Sequence, residues 1–208
     1  CGIQVYTPNA GRPLDDPIFE RGFATMAELD LPIWLHPARG ASLTDYPAEA
    51  KSRYELWWCF GWPYDTSVAM VRMAFCGLFD RYPNLKIITH HLGGMIPYYD
   101  GRVGPGLQVL GARTSDEDYS QVLPSLKRPH LDYLKEFYGD TAMFGGGTHA
   151  LRCGLEFFGA DHVVFATDTP LGPIAPTIEA VKRLDLPADQ MRKLFVGNAE
   201  RLLNRPFN

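Results

Sequence analysis

The sequence is poor in cysteine, in basic clusters and in long apolar runs, and each shortage excludes a class of protein. Its cysteines, Cys1, Cys59, Cys76 and Cys153, form no CxxC motif, which favours free thiols and a cytoplasmic location. No apolar stretch approaches the roughly 20 residues that span a bilayer, and no signal peptide is visible. The net charge is −4 and no Lys/Arg-rich run is present, so we expect neither nucleic acid nor a membrane as a partner.

The composition is that of a folded protein. The 208 residues are 46% hydrophobic and 21% charged, so they can bury a core as a single domain over residues 1–208. The chain opens on Cys1 instead of Met, and Gly2–Tyr6 already has the pattern of a strand. We therefore expect the natural N-terminus to lie upstream.

Short β-rich runs alternate with helical patterns, which predicts βα units and a parallel sheet. Apolar residues at helical spacing predict two core-facing helices, Asp16–Leu29 and Thr66–Phe79, and a closing helical segment, Pro187–Leu203, interrupted at Gly197-Asn198. The stripes expected to pack in the core are Phe19, Phe23, Met26 and Leu29 in the first, Val68, Val71, Phe75 and Leu78 in the second, and Leu194, Phe195, Leu202 and Leu203 in the third. The predicted strands are Gly2–Tyr6, Pro32–His36, Lys86–His90, Glu136–Gly139 and Val163–Thr167.

Four of these strands end in a polar side chain. His36, the pair His90-His91, Asp140 and Asp168 each follow an apolar run. In parallel α/β folds the carboxyl ends of the strands build the functional site. Imidazoles combined with a carboxylate suit Zn²⁺, Mn²⁺ or Fe²⁺, so the pattern indicates a metal site at this edge.

A long segment after His36, residues 37–63, contains four large aromatic residues. It follows a strand end, so it is either a pocket wall or lid, or a contact surface for another subunit or domain. These residues are Trp57, Trp58, Phe60 and Trp62.

The other histidines divide into two groups. The surroundings of His130 and His162 indicate structural roles. His149 follows a GGGT run, so it either faces the pocket or begins the next helix.

Four sequence segments carry a family resemblance. LHPARG, ITHHLGGMIPYYDGRV, VVFATDTPLGP and LFVGNAERLL occur in this order over nearly the whole chain. They resemble the amidohydrolase-related family that includes aminocarboxymuconate semialdehyde decarboxylase and the hydroxybenzoate decarboxylases. The resemblance implies an α/β fold, a (β/α)8 TIM barrel of the metal-dependent hydrolase type, of which strands 4 to 8 are present. About three βα units of the family pattern are absent, as is its HxH or ExH metal motif.

The resemblance also implies roles for individual residues. His36 matches a metal-ligating histidine, Asp168 a metal-proximal carboxylate that also takes part in proton transfer, and His91 the catalytic acid/base. Arg102 matches an arginine that binds the substrate carboxylate across a dimer interface, which implies a homodimer or higher homo-oligomer. Alternation along a strand would point His90 away from His91, into a supporting position behind the metal ligands or into packing.

The implied function is non-oxidative decarboxylation of an aromatic or unsaturated carboxylic acid with one divalent metal, Zn or Mn. Trp57 and Trp58 would bind a flat substrate by stacking. Two alternatives remain open at the level of sequence. One is a metal-dependent hydrolase of a lactone, ester or amide, which needs the same ligands. The other is a non-catalytic barrel fragment that packs against a partner.

Overall fold

The computed structural model describes residues 1–207. It contains five β-strands, each starting or ending within a few residues of its predicted bounds. The strands are β1 (Ile3–Thr7), β2 (Ile33–Pro37), β3 (Ile87–Thr89), β4 (Tyr138–Asp140) and β5 (Val163–Val164).

Helices follow each strand, as βα units require. Short 3₁₀ turns and one π-helical stretch, Lys193–Gly197, supplement them. The α-helices are α1 (Glu20–Glu28), α2 (Leu56–Cys59), α3 (Gly61–Phe75), α4 (Leu78–Arg81), α5 (Asp100–Val103), α6 (His130–Leu134), α7 (Thr148–Phe158), α8 (Ile174–Lys182), α9 (Ala188–Arg192) and α10 (Asn198–Leu202).

The strands form one parallel sheet in the order β1-β2-β3-β4-β5. Each strand therefore pairs with the next strand in the chain, and Leu35 pairs with Thr89 while Gly139 pairs with Val163. This sequential order is the one found in (β/α)8 barrels. It brings every strand's carboxyl end to the same edge of the sheet, as the predicted α/β fold class requires.

The two faces of the sheet bury different side chains because strand residues alternate in direction. The outer face packs under the helices in the main core, which includes Ile33, Leu35, Ile87 and Val163. The inner face forms a smaller cluster closed by Leu202, in which Ile88 and Val164 are buried with Trp34 and Tyr138 against them. The same alternation places His36, His90 and Asp140 on the inner face.

Two of the predicted helical stripes need correction. In α1, Phe23 and Met26 are buried as expected, whereas Leu29 is exposed just beyond the helix end. In the second helix the chain breaks at Gly77, between α3 and α4, and Leu78 is buried while Val71 and Phe75 pack against the core, as expected. Val68 is exposed instead, and the buried residues of α3 are Thr66, Ser67, Ala69, Met70, Met73 and Ala74. With 3.6 residues per turn, Val68 lies on the opposite side of the helix from Met70 and Met73.

The closing segment changes its winding where an interruption was predicted. α9 passes into the π-helical stretch Lys193–Gly197 and then into α10, with Leu194 and Leu202 buried as predicted. The Asn198 side chain is fully buried and donates hydrogen bonds of 2.7 Å to the carbonyls of Ala160 and Val163. This amide ties the closing helix to β5.

Two findings bear on the cell environment. All four cysteines are free. Among the described residues, every helix is too short or too polar to cross a lipid bilayer.

Candidate active site

Three histidine rings meet at the carboxyl edge of the sheet. The ring centroid of His36, near the end of β2, lies 4.8 Å from that of His90 and 6.4 Å from that of His91. His36 Nδ1 is 2.6 Å from the carbonyl oxygen of Pro37. A bond donated from Nδ1 leaves Nε2 as the ring atom with a free lone pair, which is the arrangement of a metal-binding histidine.

The two adjacent histidines follow β3, which ends at Thr89. His90 remains extended, whereas His91 and Leu92 both have φ of 54° in the left-handed region. His90 lies on the inner face beside His36, so of its two expected roles the structure agrees with a supporting position and not with packing, while His91 reaches the site through the turn that follows. Gly94 permits this turn, since a Cβ there would overlap the carbonyl oxygen of Pro63.

Asp140 stabilises this turn through hydrogen bonds to its backbone. Its carboxylate is completely buried, and Oδ1 accepts hydrogen bonds from the backbone N–H of His91 at 2.9 Å and of Ala142 at 3.1 Å. Its Oδ2 is 3.1 Å from His90 Nδ1, without the alignment of a hydrogen bond. Asp140 is the last residue of β4, and its carboxylate thereby connects this strand to both histidines.

Burial governs the protonation of these groups. Removal from water lowers the pKa of His90 to about 4, with a contribution from neighbouring His36, and lowers the pKa of His91. Burial also raises the pKa of Asp140 to about 6. The His90 nitrogens, His91 Nδ1 and Asp140 Oδ2 are buried without a hydrogen-bond partner among the described residues. Such orphaned polar atoms are expected where a ligand completes a site.

Asp168 reaches the same edge after β5. Its φ of 60° is left-handed, and its carbonyl accepts a hydrogen bond of 2.6 Å from the N–H of Gly172. Asp168 lines a cavity of about 320 Å³ together with Trp57, Trp58, Trp62, Phe144 and Leu171.

The aromatic segment forms the wall of the site, one of the two outcomes anticipated for it. Trp62 lies at its centre, stacked 6.3 Å from His91 and edge-on 5.4 Å from His36. Its indole N–H donates to the carbonyl of Arg39 at 3.0 Å. Trp57 and Trp58 pack on Trp62 with centroid distances of 5.5 and 6.3 Å.

Arg102 is not brought together with these residues within one chain. It lies exposed on α5 and lines a different cavity, of about 480 Å³, with Tyr64, Met95 and Tyr99. The cavity that contains His91 is smaller, about 150 Å³, and does not include Arg102.

The remaining histidines lie outside the site. His130 is buried with Nε2 2.8 Å from the carbonyl oxygen of Val103, and His162 stacks on Tyr138 at 4.4 Å. Both positions agree with structural roles. His149 is exposed in the first turn of α7, which settles its two possibilities in favour of the helix start.

For three residues at the site the sequence predicts the place or the role only in part. Asp140 and His90 belong to the predicted strand ends, and alternation counted from the inner-face residues Tyr138 and Ile88 places both on the inner face. Trp62 was one of four loop aromatics, and local sequence gives no signal that it, more than its neighbours, contacts the histidines.

The chain is similar to known decarboxylases. The family model described as Amidohydrolase matches residues 1–205. The 2-amino-3-carboxymuconate-6-semialdehyde decarboxylase of Dictyostelium discoideum is 30% identical over 202 residues, covering 95% of this chain and 52% of that protein. The gamma-resorcylate decarboxylase of Polaromonas sp. is 30% identical, covering 87% of this chain and 53% of that protein. The chain thus spans about half the length of these curated relatives.

Solved structures agree with this similarity. The 5-carboxyvanillate decarboxylase of Novosphingobium aromaticivorans, complexed with manganese and 4-hydroxy-3-methoxy-5-nitrobenzoic acid, has a TM-score of 0.80 and 28% identity, covering 97% of this chain and 55% of that one. The dihydroxybenzoic acid decarboxylase of Polaromonas sp., with bound manganese and 2-nitroresorcinol, has a TM-score of 0.72 and 28% identity, covering 93% and 56%.

Proposed function

Because the chain belongs to the Amidohydrolase family, we propose that its protein is a metal-dependent, non-oxidative decarboxylase of an aromatic or unsaturated carboxylic acid. The similarity to gamma-resorcylate decarboxylase and 5-carboxyvanillate decarboxylase supports the reaction class. The aromatic wall supports a flat substrate. The observation that carries the proposal is the meeting of His36, His90 and His91 at one sheet edge beneath Trp62.

The residues present fit a divalent metal as part of its ligand set. His36 has its Nε2 free, and Asp168 supplies a carboxylate, a combination that suits both Zn²⁺ and Mn²⁺. Within residues 1–207, no three His, Cys, Asp or Glu side chains are close enough together to hold a metal ion by themselves. We therefore propose that His36 and Asp168 hold the metal together with ligands from further βα units of a longer chain. The bound metals of the two solved decarboxylases favour manganese over zinc.

When bound, the metal would supply a Lewis acid that orients the substrate carboxylate. His91 then moves the proton. As the bond between the substrate carbon and its carboxylate breaks, CO₂ leaves, the electron pair stays on carbon, and a proton from His91 forms the new C–H bond. Since burial lowers the pKa of His91, its ring is neutral near pH 7 and must first take a proton from solvent or from an acidic group of the substrate. Asp168 assists this proton transfer.

The Trp57, Trp58 and Trp62 side chains would bind the ring of the substrate and keep water away from the breaking bond. For Arg102 we propose binding of the substrate carboxylate in the partner subunit of a homodimer, since an exposed guanidinium is well suited to a bidentate contact with a carboxylate. The four free cysteines favour a reducing compartment, so we propose a cytoplasmic location.

The test is release of CO₂ by the longest natural form of the protein, loaded with manganese, from a panel of hydroxybenzoic acids and unsaturated acids. We expect turnover with at least one acid. We expect His91→Ala to abolish turnover while the metal content stays near that of the wild type.

His149→Ala is the matched control, because His149 is an exposed histidine on α7 and should leave turnover unchanged. Loss of metal in His91→Ala would assign His91 to ligation instead of proton transfer. Hydrolysis of lactones or esters without CO₂ release would support the hydrolase alternative and contradict decarboxylation.

A further inference from the structure

Two cavities beside the site share one aromatic wall. The cavity of about 150 Å³ contains His91, and the cavity of about 320 Å³ contains Asp168. Trp58, Trp62 and Phe144 line both cavities. These three side chains therefore divide the space above the histidines into a His91 compartment and an Asp168 compartment.

The members of this wall differ in how firmly they are held. The indole N–H of Trp62 donates to the Arg39 carbonyl at 3.0 Å, and that of Trp58 donates to Glu55 Oε2 at 2.9 Å. Phe144 makes no side-chain hydrogen bond, and the residue is 44% exposed. Trp58 is its aromatic neighbour among the described residues, at 5.8 Å with the planes tilted by 33°. The ring of Phe144 is thus held in the wall by packing and not by a hydrogen bond.

The backbone around Phe144 fixes the place of its ring. Phe144 lies in the segment between β4 and α7, with φ of 55°, and Gly145 follows with φ of 67°. Left-handed conformation is costly for a phenylalanine and cheap for a glycine. A Cβ at Gly145 would lie 2.6 Å from Pro176, so the turn that follows Phe144 packs closely against α8 and fixes its position.

We infer that Phe144 is a specificity-determining residue, whose ring on Trp58 limits the site to carboxylic acids with a single aromatic ring. The inference rests on the proposed function and deepens it. A cavity of about 150 Å³ is large enough for one benzene ring. A second fused ring would have to occupy the place of Phe144, between the His91 and Asp168 compartments.

The test compares binding of 2-hydroxybenzoate and 1-hydroxy-2-naphthoate by equilibrium dialysis, using the longest natural form of the protein loaded with manganese. In the wild type, 2-hydroxybenzoate should bind more tightly. In Phe144→Ala the ratio of the two dissociation constants should shift about tenfold toward the naphthoate, the scale of discrimination by an apolar pocket. Phe207→Ala is the control, because Phe207 is similarly exposed, at 42%, and lies at the C-terminus.

The outcomes separate the inference from the proposed function. An unchanged ratio in Phe144→Ala, with 2-hydroxybenzoate bound, overturns the role of Phe144 whether or not CO₂ is released. The expected shift without turnover of any acid supports the role of Phe144 and contradicts the decarboxylase. Failure of both acids to bind wild type and variant overturns the inference, while CO₂ release from other acids would leave the proposed function standing.

Discussion

Asp140 is a residue whose protonation should change the free energy of unfolding with pH. Burial raises its pKa to about 6 in the folded protein, above the ordinary value of 3.8. The folded state therefore holds the proton more tightly than the unfolded state between pH 4 and pH 6, and the stability from this group is lost as the pH rises through that window. Asn lacks this titration and keeps an oxygen for the two backbone N–H groups. The free energy of unfolding of Asp140→Asn, relative to wild type, should rise by about 2 kcal/mol from pH 4 to pH 7.

Urea unfolding of both proteins with a chelator present measures this difference. Asp140→Ala provides the comparison, because it leaves the N–H groups of His91 and Ala142 buried without an acceptor. It should be less stable than Asp140→Asn by about 2–4 kcal/mol at every pH. If the difference in free energy of unfolding between wild type and Asp140→Asn does not vary with pH, the pKa of Asp140 is the same in the folded and unfolded states.

Tyr133 gives a second prediction for a single side chain. It is fully buried, and its hydroxyl donates to Asp80 Oδ1 at 2.6 Å and accepts from the N–H of Arg128 at 3.0 Å. Tyr133→Phe keeps the ring but removes the hydrogen bonds of the hydroxyl to the Asp80 carboxylate and the Arg128 N–H. The free energy of unfolding should therefore fall by about 1–3 kcal/mol. Tyr98→Phe is the control, since Tyr98 is 75% exposed and should change stability little. Equal losses in both variants, measured by urea unfolding, would contradict the role of the buried hydroxyl.

Side chains at strand ends were the part of the site that the sequence could predict. His36 and Asp168 end apolar runs, and parallel pairing brings such ends together. The geometry of His90 and His91 could not be predicted, because it depends on β3 ending at Thr89 and on the left-handed turn that follows. The contact of Trp62 with two histidines depends on the position of α3 against the sheet, which no local pattern encodes.

At the scale of elements, α7 shows why helical periodicity is an incomplete guide. Gly154 is buried in this helix, where propensity alone favours alanine. A Cβ at Gly154 would overlap the side chain of Leu92, the buried residue that follows His91. The glycine lets the helix pack directly on the turn that positions His91.

Gly154→Ala should therefore destabilise the protein by about 1–3 kcal/mol through overpacking. The matched substitution is Gly22→Ala in α1, where the added methyl group meets no atom within 4 Å. It should stabilise the protein by up to about 1 kcal/mol, because alanine is the better helix former. Thermal unfolding of the two variants checks the opposite signs. A gain in stability for Gly154→Ala would mean that Leu92 is free to move and that α7 does not fix the turn.

At the scale of the whole molecule, the five-stranded sheet presents a free edge at β1. Its Ile3 and Tyr6 side chains are 42% and 48% exposed, and Tyr6 lies edge-on to His36 at 5.6 Å. The sequence predicted the parallel sheet because a helix between each pair of successive strands is typical of α/β folds with a parallel sheet. Further strands beside β1 would bring additional side chains to the His36 edge, in agreement with relatives about twice as long.

This arrangement leads to a prediction about metal affinity. Two donors, His36 and Asp168, do not suffice for a tight site, which needs at least three protein ligands. Elemental analysis after purification without chelator should therefore find about one equivalent of manganese or zinc per chain in the longest natural form and little in residues 1–208 alone. His36→Ala in the longer form should lose the metal, whereas His162→Ala should keep it, because His162 stacks on Tyr138 away from the carboxyl edge of the sheet.

One tightly bound metal in residues 1–208 alone would instead mean that His90, His91 or Asp140 moves to complete the site. The proton-transfer role of His91 would then have to be reassigned.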